Sequence, residues 1–350
     1  MFYIHQTACI SPQQTFGEVD LTALHQPVDQ RLKVIEPGYE NIPPVILRRM
    51  SKSVRIGMGA ALSLLKQFNI PDGIIMATAN AGFEDCFQFL KQIVDYDEGI
   101  LSPGSFVQST PNALAAQLGM FTHNKSYNIT HVHLGLAFEN AMTDAGMLIK
   151  EHPANTYLLG AVDDISPYNY TLNFLAGWFK NELFVLEDLY DLDSPGSIGG
   201  EGAAMFLVNG SPMAAMAQVR AIGSVHSDDL DLVNQQLKHF LAKQLTAGEE
   251  IDLLLSGEDG DNRLLKYYAS CEKMMGNEVA IMRFKHMFGE FPTSSALALW
   301  LACYILQKNP IPRHMVKKNI PGKEYKNILI YNTYKGAQHS FILVNRASAD

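Results

Sequence analysis

The sequence has few cysteines for its 350 residues, and they are widely separated. The four are Cys9, Cys86, Cys271 and Cys303, without any Cys-x-x-Cys spacing. A disulfide framework needs more cysteines than this, and structural zinc usually takes closely spaced ones. We therefore expect neither, we expect no other cofactor, and we predict a protein of the reducing cytoplasm.

Long apolar runs, a targeting segment and an excess of positive charge are also missing. No uncharged apolar stretch reaches the ~18 residues of a membrane-spanning helix, and residues 1–12 hold no lysine or arginine of the kind that opens a signal peptide. Lysine plus arginine is 27 against 36 for aspartate plus glutamate, a formal charge of −9. Such a chain binds nucleic-acid phosphates poorly, so we expect neither nucleic acid nor a membrane span.

What the sequence does contain is a large supply of core residues in a regular order. Hydrophobic residues make up 47% of the chain, which is enough for a large buried core. Short apolar runs, typical of buried strands, alternate with longer helical patterns, so we predict an α/β protein. The predicted strands are 74–78, 157–162, 203–208, 253–255, 279–282, 328–331 and 341–344. The predicted helices are 50–68, 112–118, 138–149 and 294–306.

The order of these elements runs twice along the chain. A helical region followed by two apolar strands ends near residue 211, and the remainder repeats the pattern. The Pro-containing junction at residues 209–212 is the best candidate boundary, so we predict halves of residues 1–211 and 212–350. Residues 308–326 of the second half are rich in lysine and in turn-forming residues. This segment is either a solvated loop or a landing patch for an acidic partner.

Five segments form an ordered set of motifs. They are RRMSK at 48–52, LSP with STPNA at 101–103 and 109–113, GGEGAA at 199–204, KHMFG at 285–289 and NTY at 332–334. In this order they resemble the β-ketoacyl synthases of the thiolase superfamily, over nearly the whole chain. The resemblance implies a thiolase-like fold, in which two βαβαβαββ halves form a five-layer αβαβα sandwich.

The chemistry of that family needs three kinds of group. A cysteine thiolate accepts the acyl chain as a thioester, two basic side chains assist decarboxylation of the malonyl unit, and backbone N–H groups form an oxyanion hole. The resemblance puts Gly135 in the cysteine position, and a shift of one or two residues offers only His133, Leu134, Leu136 or Ala137. None of these forms a thioester.

Both histidine positions are changed as well. The first family histidine belongs in residues 256–261, where Gly257 stands, and the second is replaced by Glu290. The family lysine is retained as Lys285, while the glycine-rich loop is altered at residues 334–339. The resemblance therefore implies a degenerate site without the Cys-His-His set.

The substituted positions are surrounded by candidate polar residues. Glu139 lies on an apolar helix and needs a partner, for which Lys285 and His133 are the candidates. Asp259 and Asp261 could join Lys285 and Glu290 in a polar network that fills the emptied site. Two alternatives stay open, which are a new catalytic site built on Glu290 and His133 and, less readily, an Asp/Glu/His metal site.

Three functions are compatible with this pattern. The chain resembles chain-length factors, which pair with an active ketosynthase, and residues 133–139 with Gly289-Glu290 look most like the ketosynthase-like proteins of aryl-polyene and flexirubin pigment clusters. An acyl-thioester enzyme, such as a malonyl decarboxylase or an atypical synthase with a rebuilt polar site, is the alternative. A homodimer that binds acyl carrier protein without chemistry is the third.

The resemblance also predicts where a partner binds. In the family, a two-fold interface is built by the strand beside the nucleophile and by the segment that follows the first motifs, here residues 128–133 and 101–120. We expect the apolar residues Phe106, Leu114 and Leu118 to face the partner, either an active ketosynthase or a second copy of this chain. Phe106 is the residue expected to reach the partner's acyl tunnel.

Overall fold

The computed structural model describes residues 1–65, 70–99, 101 and 103–347. Its strands are β1 (Phe2–Ile10), β2 (Arg31–Leu32), β3 (Gly73–Ala77), β4 (Tyr127–His131), β5 (Tyr157–Asp163), β6 (Gly199–Gly200), β7 (Gly202–Asn209), β8 (Ala217–His226), β9 (Leu253–Ser256), β10 (Ala280–Arg283), β11 (Val316–Lys318), β12 (Asn327–Tyr334) and β13 (Gln338–Arg346). All seven predicted strands are present, as β3, β5, β7, β9, β10, β12 and β13.

The helices also follow the apolar pattern of the sequence. They are α1 (Pro44–Leu47), α2 (Lys52–Leu65), α3 (Phe83–Asp95), α4 (Pro103–Gln108), α5 (Ala113–Phe121), α6 (Ala137–Glu151), α7 (Pro167–Leu175), α8 (Leu230–Gln244), α9 (Leu265–Met275), α10 (Lys285–Phe288) and α11 (Ser294–Leu306). The four predicted helices correspond to α2, α5, α6 and α11. Residues 66–68 of the first predicted helix, and Ser102 of the second motif, lie outside the described residues.

The large sheet consists of two arrays with the same design. Its order is β11-β10-β9-β12-β13-β8-β1-β7-β5-β3-β4. From β1 outward one array runs β1-β7-β5-β3-β4, and from β8 outward the other runs β8-β13-β12-β9-β10. In each array the second strand is antiparallel to its neighbours and the last three are parallel. The predicted duplication and thiolase-like fold are therefore confirmed.

The two arrays are joined more closely than predicted. Strands β1 and β8 pair through Phe2↔Val219, Tyr3↔Gln218 and Ile4↔Ala217, so hydrogen bonds make one continuous sheet of the two halves. Strand β7 ends at Asn209 and β8 begins at Ala217. The division into residues 1–211 and 212–350 stays a prediction.

Alternation along the strands sets the five layers. On β5, Leu159 and Ala161 face a central cluster, whereas Leu158 and Val162 face an outer one. The central cluster contains α6, α11 and the inner faces of both arrays. The outer clusters contain α2 with α5 on one side and α8 with α9 on the other. Helix α11 is apolar on all sides and almost wholly buried, as expected of a helix between two sheets.

The outer edges of the two arrays differ. Strand β10 is covered by the short antiparallel strand β11. Strand β4 pairs with β3 on one side and, among the described residues, with no strand on the other. The half-exposed side chains of Tyr127 and Val132 lie at this free edge.

The lysine-rich segment 308–326 is largely neutralised within the chain. Lys317 pairs with Glu258 and Glu272, Lys323 with Asp252, and Lys308 with Glu324. These contacts favour the solvated loop over a landing patch, because the charges already have intramolecular partners. In the described part of the chain, no helix is both long enough and apolar enough to cross a membrane.

Candidate functional site

The predicted nucleophile position, Gly135, has no room for a side chain. It lies in a 3-10 turn, Leu134–Leu136, between the free edge strand β4 and the buried helix α6. A Cβ atom added at Gly135 would lie 2.2 Å from Cβ and 2.7 Å from Cγ of Tyr334. The ring of Tyr334 thus fills the space that a cysteine side chain needs.

The backbone N–H of Gly135 is also occupied. It donates to Oε1 of Gln338 at 2.8 Å, and Gln338 is itself buried. Tyr334 and Gln338 lie opposite each other across the β12–β13 hairpin. Its turn places Lys335 and Gly336 at φ of 55° and 68°, a pair of left-handed residues that matches a tight hairpin. This single turn therefore delivers both groups that cover Gly135.

The first predicted histidine position is closed in the same way. Gly257 follows β9, and a Cβ there would lie 2.4 Å from Oδ1 of Asn332 and 3.0 Å from the carbonyl oxygen of Tyr331. Asn332 is buried on β12 and its Oδ1 has no hydrogen-bond partner. A histidine at Gly257 is excluded unless Asn332 moves.

The second histidine position holds a buried ion pair. Lys285, at the start of α10, places its Nζ 2.5 Å from Oε2 of Glu290 and 2.7 Å from Oγ of Ser294. Burial raises the pKa of Glu290, and the charge of Lys285 opposes that rise. Lys285 is thus committed to neutralising Glu290, the residue at the predicted position of the second histidine.

Close backbone contact fixes this ion pair. Gly289 adopts φ of 80°, and its neighbour in space is Gly200, where an added Cβ would lie 2.0 Å from the carbonyl oxygen of Phe288. The N–H of Glu290 donates to the carbonyl of Ile198 at 2.7 Å. The predicted GEGA turn and the K-x-x-x-G segment therefore meet, and only glycine permits the approach.

The GEGA turn also meets the first motif. The carboxylate of Glu201 is fully buried, accepts from the ammonium of Lys52 and accepts from the backbone N–H groups of Val34 and Ile165. Two segments that the sequence placed far apart therefore form one charged contact beside the candidate site.

A small polar cavity opens next to the ion pair. Its empty space is about 490 Å³, part of which is open to solvent. Glu290, Asp259, Asp261, Trp178, Tyr334 and Lys335 are among its lining residues. Asp261 is bound by Arg263, whereas burial and repulsion from Glu290 raise the pKa of Asp259 to about 8. The predicted network of Lys285, Glu290, Asp259 and Asp261 therefore occupies one region.

Glu139 has no partner of the predicted kind. Its carboxylate is fully buried on α6, and neither oxygen has a hydrogen bond of normal geometry. Burial raises its pKa, while the neighbouring hydroxyls of Ser295 and Ser340 and the charge of Lys285 act against that rise. The prediction that Lys285 binds Glu139 is wrong, because the hydrogen bonds of Lys285 go to Glu290 and Ser294.

His133 does not lie in the pocket. Its side chain is exposed, and its Nδ1 lies 2.9 Å from Nδ2 of Asn140 on the first turns of α6. His131 is bound to Asp144 instead. The prediction of a site formed by Glu290 and His133 is therefore wrong, since β4 ends before His133 and the chain turns outward. In the described ranges, no group of three His, Cys, Asp or Glu side chains is arranged to hold a metal ion.

The predicted interface residues divide into two groups. Phe106 on α4 is 59% exposed, with its ring centroid 5.3 Å from that of Phe89. Leu114 and Leu118 are buried inside the protomer against α2, so their assignment to a partner surface is wrong. On the outer side, Val107 and Met120 are exposed and line an apolar groove.

Three residues that close the site were not identified from the sequence. Tyr334, Gln338 and Asn332 come from one hairpin, more than 70 residues beyond Gly257 and more than 190 beyond Gly135 in the chain. The available signal was the replacement of a glycine-rich loop by bulky Tyr334 and Lys335. Asp163 was also missed, although it accepts five hydrogen bonds that tie the end of β3 to the start of α11.

Comparison with known proteins supports the same family resemblance. Residues 25–174 match the family described as the N-terminal domain of β-ketoacyl synthase. No protein with a curated description matches the sequence. The matched segment covers less than half of the chain, and it includes the first two of the five motifs.

Solved structures share the fold at low sequence identity. A chain of AntDE:AntF, a type II PKS acyl-carrier protein in complex with its ketosynthase, aligns with a TM-score of 0.78 at 12% identity, over 99% of both chains. A chain of the ishigamide ketosynthase/chain length factor aligns with a TM-score of 0.76 at 13% identity, over 99% of both chains. A chain of the complex between the ketosynthase (ApeO) and its chain length factor (ApeC) from Xenorhabdus doucetiae aligns with a TM-score of 0.76 at 13% identity. The alignment covers 99% of this chain and 98% of the other.

Proposed function

We propose that this ketosynthase-like chain is the non-condensing, chain-length-factor-like partner of an active β-ketoacyl synthase. The observation that carries the proposal is the closure of Gly135, whose side-chain space is filled by Tyr334 and whose N–H is bound by Gln338. Acyl transfer needs a nucleophile and an oxyanion donor, and this position offers neither.

The remaining family positions support the same proposal. Gly257 supplies no imidazole and is crowded by Asn332, and Glu290 is bound to Lys285. The buried thiols also fail as substitutes, because burial raises the pKa of Cys271 and raises that of Cys9 and of Cys303 to about 12 each. A buried thiol of that kind is not a nucleophile at neutral pH.

A partner is proposed because the N-terminal half ends in an open sheet edge. Strand β4 has no second neighbour among the described residues, and exposed apolar side chains lie beside it at Val132 and on α4 at Phe106 and Val107. Exposed strand edges and contiguous apolar patches are usually covered by another chain. Two of the similar structures are named as ketosynthase and chain length factor together, and another contains an acyl carrier protein.

The preferred partner is a cysteine-bearing ketosynthase, with a homodimer as the fallback and acyl carrier protein as the donor of substrate. The sequence likeness at residues 133–139 and Gly289-Glu290 favours a cytoplasmic polyene pathway of the aryl-polyene or flexirubin type. Co-expression with a ketosynthase encoded beside this chain, followed by sizing and product analysis, tests the proposal. We expect the two co-expressed chains to form a stable heterodimer that makes product, and we expect each chain alone to make none. Product from this chain alone would contradict it.

An acyl-thioester enzyme is the second candidate, and one observation favours it. Asp259, with its raised pKa, and Glu290, which is paired with Lys285, line a cavity that is open to solvent. A carboxyl group held protonated near neutral pH can act as a proton donor, for example after loss of carbon dioxide from a malonyl thioester. Carbon dioxide release from malonyl carrier protein by the isolated chain, abolished by Asp259→Asn, would favour this candidate over the first.

A further inference from the structure

Helix α3 presents a stripe of apolar side chains to solvent. The structure describes every residue of α3, and none of them is buried. Large exposed apolar side chains recur at intervals of four, three and four residues, which places them on one face of the helix. They are Phe83, Phe87, Leu90 and Val94, and their exposed fractions rise from 38% at Phe83 to 79% at Val94. Such a face normally packs on a core, but here the protomer leaves it largely uncovered.

The stripe continues onto helix α7. The ring centroid of Phe87 lies 3.8 Å from that of Tyr168, in the first turn of α7. Leu172 and Leu175 follow Tyr168 on the same helix face and are 59% and 77% exposed. Contiguous apolar patches on a protein surface commonly mark an interaction site. We call this patch the α3–α7 face, and its residues are Phe83, Phe87, Leu90, Val94, Leu172 and Leu175.

The α3–α7 face adjoins the surface that is proposed above to meet a partner. The backbone N–H of Thr78, directly after β3, donates to the carbonyl oxygen of His131, the last residue of β4, at 3.1 Å. Helix α3 begins five residues after Thr78. On its other flank, the ring centroid of Phe89 lies 5.3 Å from that of Phe106 on α4. The face is therefore continuous with both β4 and α4.

The surroundings of the stripe are acidic. Residues 83–98 contain five carboxylates and a single cation, Lys91. Three of the carboxylates are exposed and follow Val94 directly or closely, namely Asp95, Asp97 and Glu98. A symmetric contact between two copies sets the same patch against itself, so it would bring these like charges together. A partner with basic side chains around an apolar surface would be attracted instead.

We propose that the α3–α7 face binds the cysteine-bearing ketosynthase, and that its acidic end selects this partner over a second copy of the chain. The inference rests on the proposed function and adds a second contact to the edge of β4. The apolar stripe supplies buried area, while Asp95, Asp97 and Glu98 meet basic side chains of the ketosynthase. Charge thus favours the heterodimer and opposes the homodimer.

The apolar part is tested by Leu90→Asp. The matched control is Leu265→Asp on α9, at a residue that is 45% exposed and lies outside the face. Analytical ultracentrifugation measures the dissociation constant of the complex with the ketosynthase encoded beside this chain. We expect Leu90→Asp to raise that constant at least about 30-fold, because an unpaired charge would be buried at the contact. The control should leave it unchanged.

The acidic part is tested by Asp95→Lys/Glu98→Lys. The matched control is Glu250→Lys/Glu278→Lys, at exposed residues of the C-terminal half. Each double variant replaces two carboxylates by two ammonium groups and so changes the formal charge from −9 to −5. We expect the first variant to weaken the heterodimer about tenfold at low salt, less at high salt, and to self-associate more than wild type. The control should behave like wild type in both respects.

Hydrogen exchange of wild type tests the contact without a substitution. The amides of residues 83–95 should exchange more slowly in the complex than in the free chain. A formed complex with unchanged exchange there, or with equal affinity for Leu90→Asp and wild type, would overturn this inference and leave the proposed function standing. Failure of the wild-type chains to associate would remove both. A heterodimer unaffected by Asp95→Lys/Glu98→Lys, or a wild-type homodimer that Leu90→Asp dissociates, would overturn the choice of partner by charge.

Discussion

The two halves of this chain share a strand order but end differently. In the C-terminal half the outermost strand is the three-residue β11, which covers β10, whereas in the N-terminal half it is the five-residue β4, which has no second neighbour among the described residues. A strand at the edge of a sheet can pair with another chain, but a very short, lysine-bearing edge strand such as β11 discourages such pairing. The longer edge strand, β4, is therefore the one better suited to association.

The helices that follow the outer strands differ in a second way. Helix α6 begins behind Gly135, which has no side chain and is covered by Tyr334 and Gln338. Helix α11 begins behind Glu290, which is bound to Lys285. Gly135 therefore lies beside the edge strand β4, whereas Gly257 and Glu290 lie in the C-terminal half.

The largest expected effect comes from breaking the buried ion pair. Lys285→Met removes the cation and leaves Glu290 buried without a partner, which costs about 3–5 kcal/mol in the free energy of unfolding. The double variant Lys285→Met/Glu290→Met should recover most of that loss, because it leaves no isolated charge. Urea unfolding at pH 7.5 measures the free energy of unfolding of the single and the double variant. Equal losses in the single and double variants would show that the pair does not stabilise this half through its charges.

The free edge is tested by placing a charge beside β4. Val132 is 52% exposed in the protomer, and Val132→Asp should weaken the proposed dimer by about 2–5 kcal/mol, more than 30-fold in its dissociation constant, because an unpaired charge would be buried. The matched control is Val185→Asp, at a residue 50% exposed elsewhere on the surface. Sizing by analytical ultracentrifugation measures both. Equal behaviour of the two variants would remove β4 from the interface.

The closure of Gly135 is tested by adding one methyl group. Gly135→Ala should cost about 1–3 kcal/mol of stability, since the new Cβ overlaps Tyr334. Gly38→Ala is the control, because its nearest contact would be 3.9 Å away and its φ is ordinary. In a Tyr334→Gly background, which removes the Cβ that would lie 2.2 Å away, Gly135→Ala should cost almost nothing beyond the loss caused by the first change. An undiminished cost there would mean that Tyr334 does not fill this space.

The smallest effect on stability is expected at Phe106. Its ring is largely exposed, so Phe106→Ala should leave the dimer intact and change stability by about 0.5 kcal/mol or less. If Phe106 reaches the partner's acyl tunnel, the variant should lengthen the product made by the heterodimer. Leu183→Ala, at a residue 84% exposed, is the control and should leave product length unchanged. Identical products from wild type and Phe106→Ala would remove this residue from the tunnel.

The fold could be predicted from the sequence because its signals are local. Buried strands appear as short apolar runs, and α11 as an apolar helix following Pro292 and Thr293. The face that a helix turns toward the core was predicted less well where the helix is apolar on every side. Helix α5 reads ALAAQLGMF and gives no polar face, so the inward direction of Leu114 and Leu118 could not be read from it.

The site could be predicted only as a set of positions. The order of the five motifs located the positions of Gly135, Gly257, Lys285 and Glu290. The structure brings Lys285 and Glu290 together with the polar residues around them. The closure itself depends on a hairpin about 200 residues from Gly135, and no local pattern reports such a contact. The outward direction of His133 depends on where β4 ends, which is the least certain feature of a strand read from sequence.

One measurement tests the central claim most directly, namely that Gly135 leaves this half without covalent chemistry. The complex with a cysteine-bearing ketosynthase is incubated with acyl carrier protein carrying an acyl group, and the intact masses of both chains are recorded. We expect a thioester adduct, labile to hydroxylamine, on the partner alone. A stoichiometric, hydroxylamine-labile adduct on this chain would contradict the account.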